Sequence, residues 1–321
     1  SNTGGTTLNG GTLGFGTNQS LGTGNFTINF ANATVFSAFN EQTITNALAL
    51  NSSLINFGGT NNMIFSCVKA AVIGGNRTLV VTNGSTFVTL TAAISGTNGI
   101  TKSGPGTLIL NGTNAYSGNT IINNGKMTLT GAGVLASTNI AILAGATLVQ
   151  QNTGNVIGDG STININSGYG YGRIYLTNGV NETIGQLQFD GASQAPGTYG
   201  RSGSGATYID DGRFDGPAAS PGILTVLGAQ DSSWVTNSDG DWGDSANWVN
   251  GVIATGAWRT AYFTNSITAD HSVNQNYSTL ILGGLYFGSP ANNWTVTNNV
   301  IYLTNNTGII PAITVAGNTA T

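Results

Sequence analysis

Three short apolar runs follow one another between residues 98 and 129, and this spacing constrains the fold more than any other feature of the chain. The runs are Thr107–Leu110, Thr120–Ile122 and Lys126–Leu129, and Gly, Asn, Ser or Pro residues lie between them. Short β-branched or aliphatic runs bounded by such residues predict strands joined by tight turns. None of the runs has the 3.6-residue period of an amphipathic helix. The pattern therefore favours the stacked rungs of a parallel β-solenoid.

The same stretch resembles the autotransporter-associated β-helix repeat, also called the passenger-associated repeat. That family's pattern begins Gly-Leu-Thr-Lys-x-Gly-x-Gly-Thr-Leu, continues Asn-x-Tyr-x-Gly and ends Gly-x-Leu-x-Leu. Here the three parts are at residues 99–108, 114–118 and 125–129. The resemblance implies an all-β, elongated, right-handed parallel β-helix that forms a segment of a large bacterial surface protein.

A second resemblance concerns the segment 194–227, which is similar to the part that closes a block of these repeats. It contains Gly-Thr-Tyr-Gly at 197–200, an Asp-rich turn with Phe at 210–214, and Gly-Ile-Leu-Thr-Val at 222–226. All five Trp residues follow this segment. In this family, such a Trp-rich stretch looks like the start of a fresh block, and we expect an irregular, loop-rich insertion around it.

Three parts of the chain are predicted from these matches. Residues 1–93 form β-solenoid rungs, residues 94–228 form a block with the best repeat match at 98–129, and residues 229–321 begin a further block. Residues 1–15 repeat the second half of the motif at one constant offset, with Gly4 matching Gly118 and Leu13 matching Met127. Because this partial repeat opens the chain, we expect the natural polypeptide to be longer.

Short strands about ten residues apart would also suit a sandwich or a barrel. The dipeptides Asn83-Gly84 and Asn98-Gly99 keep that alternative open, because Asn-Gly is typical of β-hairpin turns. In the solenoid, at roughly 20 to 25 residues per rung, the chain would make about 13 to 16 rungs. Asn and Thr side chains at the turns could then form ladders between rungs.

The composition excludes two classes of protein. Only 6% of the residues are charged and the net charge is −4, so no basic stripe is available to bind nucleic acid. The apolar runs are far shorter than the roughly 18 residues of a membrane helix. We expect no membrane insertion by this segment, and the family resemblance implies a secreted or cell-surface location.

The most suggestive acidic group is Asp239, Asp241 and Asp244 on one Gly-containing turn. Three carboxylates there could converge on Ca²⁺, a cation that prefers oxygen ligands. The closing Glu of the twelve-residue calcium loop is absent, and Asp and Gly are ordinary turn residues. A structural turn is therefore the preferred interpretation, with calcium as the alternative, and no other cofactor is expected.

Two further groups could bind or process carbohydrate. Tyr169 and Tyr171 could stack on sugar rings, although buried packing is the commoner role of aromatic side chains. Asp210, Asp211 and Asp215, with Arg213, could supply the paired carboxylates of a glycosidase or the base and arginine of a lyase. We prefer an exposed loop with an Asp-Arg pair.

A triad is not indicated at the single histidine, His271, because the chain has no Gly-x-Ser-x-Gly elbow, and we place this residue in a surface loop. We predict that the protein is not an enzyme. It is expected to be an extracellular structural rod or filament whose copies contact one another end to end or laterally, since open solenoid ends expose unpaired strand edges. The alternative is an adhesin or a carbohydrate-binding β-helix, with carbohydrate cleavage less favoured, and with glycans or other cell-surface components as partners.

Overall fold

The computed structural model describes residues 3–18, 20–66, 71–177, 179–228, 231–249, 252–277, 280–288, 292–303 and 312–316, without the side chains of residues 71, 72, 257 and 258. Strands make up nearly all of the regular structure. One 3-10 turn at Ser245–Asn247 is the exception, and the described residues contain no α-helix. Nor does this part of the chain contain a helix with the length and hydropathy of a membrane span.

The strands of the first part of the chain are short. In chain order they are β1 (Thr6–Leu8), β2 (Thr12–Phe15), β3 (Phe26–Ile28), β4 (Ala33–Ser37), β5 (Gln42–Ile44), β6 (Leu48–Leu50), β7 (Leu54–Gly58), β8 (Met63–Phe65), β9 (Ala71–Val72), β10 (Arg77–Val81), β11 (Phe87–Leu90), β12 (Ile94–Gly96), β13 (Ile100–Ser103), β14 (Thr107–Leu110), β15 (Thr113–Tyr116), β16 (Thr120–Ile122), β17 (Lys126–Leu129), β18 (Val134–Leu135), β19 (Asn139–Ile142), β20 (Thr147–Gln150), β21 (Thr162–Ile165), β22 (Ser167–Gly168), β23 (Gly170–Tyr171), β24 (Arg173–Leu176), β25 (Asn181–Ile184), β26 (Gln186–Phe189), β27 (Ala192–Ser193), β28 (Gly197–Gly200), β29 (Tyr208–Ile209), β30 (Phe214–Asp215) and β31 (Ile223–Val226).

The second part of the chain has fewer and partly longer strands. They are β32 (Ser232–Ser233), β33 (Gly240–Asp241), β34 (Gly256–Phe263), β35 (His271–Gln275), β36 (Leu280–Gly288), β37 (Trp294–Asn298), β38 (Ile301–Leu303) and β39 (Ala312–Ala316).

The first part winds into a coil with three faces. One face is a ten-stranded sheet in the order β2-β4-β7-β10-β13-β16-β19-β21-β26-β27, and the next is an eight-stranded sheet in the order β5-β8-β11-β14-β17-β20-β24-β30. The third face consists of the shorter sheets β1-β3-β6, β9-β12-β15-β18 and β25-β31-β28-β29. Almost all neighbouring strands are parallel, so the predicted β-solenoid is confirmed.

Outside the closing segment, one turn of the coil takes from 19 residues, where Thr107 pairs with Lys126, to 26 residues, where Thr147 pairs with Arg173. The solenoid has about 12 turns, fewer than the predicted number. The segments 190–213 and 231–249 account for much of the difference, because they form turns and strands of two to four residues that add little to the coil.

The hairpin alternative is wrong for both Asn-Gly turns. Asn83-Gly84 connects β10 to β11 and Asn98-Gly99 connects β12 to β13, and in each case the two strands belong to different sheets. Each of these four strands pairs in parallel with strands one turn away. The turns are therefore corners of the coil.

The repeat between the N-terminal residues and the best motif does not preserve the face of the coil. Leu13 lies on β2 in the ten-stranded sheet, whereas its sequence counterpart Met127 lies on β17 in the eight-stranded sheet. On every face of the coil, a short strand is followed by a Gly-rich turn. The similarity therefore marks a strand-and-turn unit and does not identify which face the strand occupies.

The core consists of apolar side chains stacked along the coil. Leu108, Met127, Leu148 and Ile174 occupy equivalent positions on four successive strands of the eight-stranded sheet, and all four are buried. Burying one such side chain contributes about 1.5–3 kcal/mol, and only stacking with neighbouring turns buries it. A single core extends from Phe15 to Val226, and a separate core lies in the second part of the chain.

Asparagine side chains connect turns at one corner, as predicted. The Asn29 amide donates to Asn9 Oδ1 at 3.1 Å, and the Asn51 amide donates to Asn29 Oδ1 at 2.9 Å. These residues lie one turn apart along the chain. The ladder stabilises the stack without charge, which agrees with the low charge of the sequence.

Candidate functional site

The tyrosine segment forms a small hairpin on the coil, made of β22 and β23. Tyr169 is at its tip and is fully exposed. The ring of Tyr171 covers the guanidinium group of Arg213, whose carbon lies 4.3 Å from the ring centroid, and the ring of Phe189 lies 4.2 Å from the same carbon. Arg213 Nη1 also donates to Asp210 at 2.9 Å. One face of Tyr171 is therefore occupied by Arg213, while Tyr169 extends into solvent.

The carboxylates of the closing segment each have a separate set of partners. Asp210 accepts hydrogen bonds from the backbone N–H groups of its own turn. Asp211 accepts from the hydroxyl and the backbone N–H of Ser202, both at 2.6 Å, and these bonds hold the pKa of Asp211 below its usual range. Asp215 faces Arg201 at 3.3 Å and Arg173 at 3.8 Å. Each carboxylate thus binds groups of its own loop or of a neighbouring one, and this pattern matches a structural loop.

The three aspartates proposed for calcium also have separate partners. Asp239 Oδ1 accepts from the Ser272 backbone N–H at 2.8 Å, Asp241 Oδ1 accepts from the Asn274 amide at 2.7 Å, and Asp244 Oδ1 accepts from the Ala246 backbone N–H at 3.0 Å. No group of three or more His, Cys, Asp or Glu side chains in the described ranges is placed to hold a metal ion. The first two carboxylates connect β33 to β35, and the third caps the 3-10 turn.

His271 is the first residue of β35, where the sequence predicted a surface loop. Its ring lies between Asp239, with Nδ1 3.3 Å from the carboxylate, and Asn237, with Nε2 3.1 Å from Oδ1. The His271 side chain is 14% exposed. These contacts position a ring at the edge of the second core, against Trp294.

Most of the tryptophans are structural. Trp234, Trp242 and Trp248 are buried, and their rings pack on one another and on Phe263. Trp242 Nε1 donates to the Ala254 carbonyl at 3.1 Å, and Trp248 Nε1 donates to the Trp242 carbonyl at 2.7 Å. The Trp-rich stretch therefore builds the core of the second part, and these three rings are not available for stacking on sugars.

Two buried charged residues were missed by the sequence predictions. Lys102 is completely buried, and its ammonium group donates to the carbonyls of Ser103, Gly104 and Asn124 at 2.8, 2.7 and 2.9 Å. Burial lowers the pKa of Lys102 to about 8. Lys102 is two positions after the buried Ile100, so strand alternation could have placed it on the inward face.

The second is Glu182, which is also completely buried. Its carboxylate accepts hydrogen bonds from the backbone N–H groups of Val156 and Ile157, each at 3.0 Å, and from the Gln150 amide at 2.6 Å. Burial raises the pKa of Glu182 to about 7, although these hydrogen bonds act in the opposite direction. Glu182 is two positions before the buried Ile184, so strand alternation could have placed it on the inward face.

Two stretches of the chain are similar to known proteins. Residues 100–129 match the profile of the passenger-associated-transport-repeat family. The chain carries an autotransporter passenger repeat. A stretch of 76 residues, or 22% of the chain, is 41% identical to the "Adhesin BmaC autotransporter" of Brucella suis biovar 1 (strain 1330). That stretch spans 2% of the length of the adhesin. No solved structure matches the chain.

This match agrees with the predicted family, and the matched residues lie within the β-solenoid. The family implies exposure at the cell surface or outside the cell. The matched residues include the two side chains that connect turns from inside the coil, Lys102 and Asn114.

Proposed function

We propose that this segment is a stretch of stiff rod in a secreted or surface-exposed passenger chain, with a mechanical role. The observation that carries the proposal is the ten-stranded sheet, whose strands stack in parallel from β2 to β26 over one continuous core. In such a coil each turn contacts mainly its neighbours, so additional turns lengthen the rod without a new fold. The asparagine ladder of residues 9, 29 and 51 adds support between turns.

Copies of the rod associate end to end or laterally in this proposal. With 6% charged residues and a net charge of −4, little electrostatic repulsion opposes close approach of two rods. The outward side chains that would meet are mostly neutral and polar.

Electron microscopy of the protein released from its source cells tests the mechanical role. Filaments with an axial repeat that matches a whole number of such segments would support it. Single rods that stay dispersed at high concentration would contradict self-association and favour the second candidate. Protease treatment of intact cells, with loss of the segment from the cell fraction, tests its surface location.

The second candidate function is adhesion, which is favoured by the similarity of part of the chain to a protein named an adhesin. It is tested by coating beads with the purified chain and measuring their retention on glycan-bearing surfaces. Retention equal to that of beads coated with an unrelated β-solenoid would count against adhesion.

A further inference from the structure

A cleft of about 470 Å³, lined mainly by residues with polar side chains, lies between the ten-stranded sheet and the second part of the chain. This volume is within the range of about 300–1,000 Å³ that is typical of small-ligand sites. One wall is the outward face of β19, β21 and β26 together with the segment 193–196, and the other contains Thr255, Gly256, Arg259 and Ile281. Of the side chains that the structure describes, none that lines the cleft is aromatic.

The sheet wall presents hydroxyl and amide groups at regular spacing. Thr162 on β21 pairs with Gln186 on β26, so their side chains are one strand separation apart, about 4.8 Å. Gln188 lies two positions further along β26 and also lines the cleft. In the part of the chain that the structure describes, no protein hydrogen bond reaches the side-chain amides of Gln186 or Gln188. Each amide can therefore both donate to and accept from a ligand.

The opposite wall supplies Arg259, the single charged residue among the described residues that line the cleft. Arg259 lies at a β-bulge of β34. Three residues separate Gly256 from Thr260, whereas one residue separates their partners Leu282 and Gly284 on β36. Such bulges re-aim side chains and are frequent beside binding sites.

Arg259 has donor capacity that the protein does not use. Its Nε is buried and out of reach of a ligand, but its Nη groups donate no hydrogen bond to the described residues, and the side chain is 39% exposed. Its Nη1 is 3.9 Å from Asp231, a distance at which the ion pair is weak, and both side chains are partly exposed to solvent. An arginine with free donors suits a planar, bidentate acceptor such as a carboxylate.

We propose that this cleft binds an acidic oligosaccharide, with a sugar carboxylate on Arg259 and sugar hydroxyls on Gln186 and Gln188. Hydroxyl groups donate and accept hydrogen bonds, as the two amides do, whereas a peptide would bring apolar side chains for which the lining offers little beyond Ile281 and Pro196. The inference goes beyond the rod function and is tested separately from it.

The test is an array of oligosaccharides that contain uronic or sialic acids, each paired with its carboxyl-reduced neutral counterpart and probed with the purified chain. Titration calorimetry then measures the dissociation constant for the acidic glycan that binds most tightly. The variant Arg259→Gln is expected to weaken its binding at least tenfold and to leave the weaker binding of the reduced glycan nearly unchanged. The double variant Gln186→Ala, Gln188→Ala is expected to weaken binding of both.

The matched control is Arg173→Gln, which removes an exposed, ion-paired arginine from the eight-stranded sheet and is expected to leave binding unchanged. The thermal midpoint of every variant establishes that it folds. If Arg259→Gln does not fold, two other measurements test the proposal. They are the binding of the glutamine double variant and the ratio of the wild type's dissociation constants for the acidic and the reduced glycan. The proposal is overturned if no carboxylated glycan binds, or if the acidic and reduced forms bind equally well. It is also overturned if folded Arg259→Gln binds the acidic glycan with unchanged affinity.

Discussion

The ammonium group of Lys102 donates a hydrogen bond of 2.9 Å to the backbone carbonyl of Asn124, one turn further along the coil. Two other carbonyls of the Lys102 turn complete its coordination. The lysine of the Thr-Lys-x-Gly motif therefore connects two corners of the solenoid from the inside. No ion pair takes part in this contact.

Replacing this lysine is expected to loosen the corner. Lys102→Met keeps the length of the side chain but leaves three partly buried carbonyls without this donor, each at a cost of about 1 kcal/mol. We expect the free energy of unfolding to fall by about 3 kcal/mol and hydrogen exchange to quicken at Ile100–Ser103. The control Lys126→Met, at an exposed position on β17, should have little effect. Equal exchange in the two variants would contradict this role.

Asn114 connects three turns through one amide. Its Oδ1 accepts from the Ile94 backbone N–H at 3.0 Å, and its Nδ2 donates to the carbonyls of Gly112 and Val134 at 2.7 and 3.0 Å. We expect Asn114→Ala to lower the free energy of unfolding by about 2 kcal/mol, since buried partners lose their hydrogen bonds.

The matched control for this position is Asn123→Ala. Asn123 is exposed and its amide makes a single contact, to Ser103 Oγ at 3.3 Å. Differential hydrogen exchange at the Ile94 amide is the measurement, and an unprotected Ile94 amide in the wild type would show that the bridge does not form.

The fold was predictable because strand runs and turn residues alternate along the chain. The predicted runs Thr107–Leu110 and Thr120–Ile122 are strands with these bounds in the structure. The assignment of strands to faces was not predictable, as Leu13 and Met127 show, because a Gly-rich turn looks alike at every corner. The number of turns was overestimated since segments such as 190–213 bring only short strands that add little to the coil.

The candidate sites were less predictable than the fold. The aspartates in turns were the predicted site residues, and the structure shows that Asp211 and Asp241 hold neighbouring strands or turns. Gln186 and Arg259 were not among the predicted residues, because they are brought together only by the placement of the second part of the chain against the first. A neutral glutamine on the outward face of a strand has no sequence feature that marks it as a binding residue.

Glu182 should make stability depend on pH in the acidic to neutral range. Its pKa is raised to about 7 in the folded protein, whereas an unfolded Glu titrates near 4.3. Between these values the folded state binds more protons, so stability falls as pH rises from about 4.5 to 7 and is recovered on acidification. At about 1.4 kcal/mol per pKa unit, the effect is on the order of 3 kcal/mol.

The measurement is the free energy of unfolding at several pH values for the wild type and for Glu182→Gln, which should lose this slope. Glu41→Gln, at an exposed glutamate that contacts Asn62, should retain it. A slope that persists in Glu182→Gln would assign the pH dependence to other groups.

Removal of one whole turn should leave the coil intact. Ile100 pairs with Thr120, and both occupy the ten-stranded sheet, so deleting residues 100–119 places β16 beside β10 and β17 beside β11 on their own faces. Because each turn contacts mainly its neighbours, we expect a folded protein with a slightly lower thermal midpoint and a rod shortened by about 4.8 Å. Deleting residues 100–109 removes half a turn and puts the next apolar strand on the wrong face, so this variant should be digested by protease. Equal protease resistance of the two deletions would contradict the turn-by-turn architecture on which the proposed mechanical role depends.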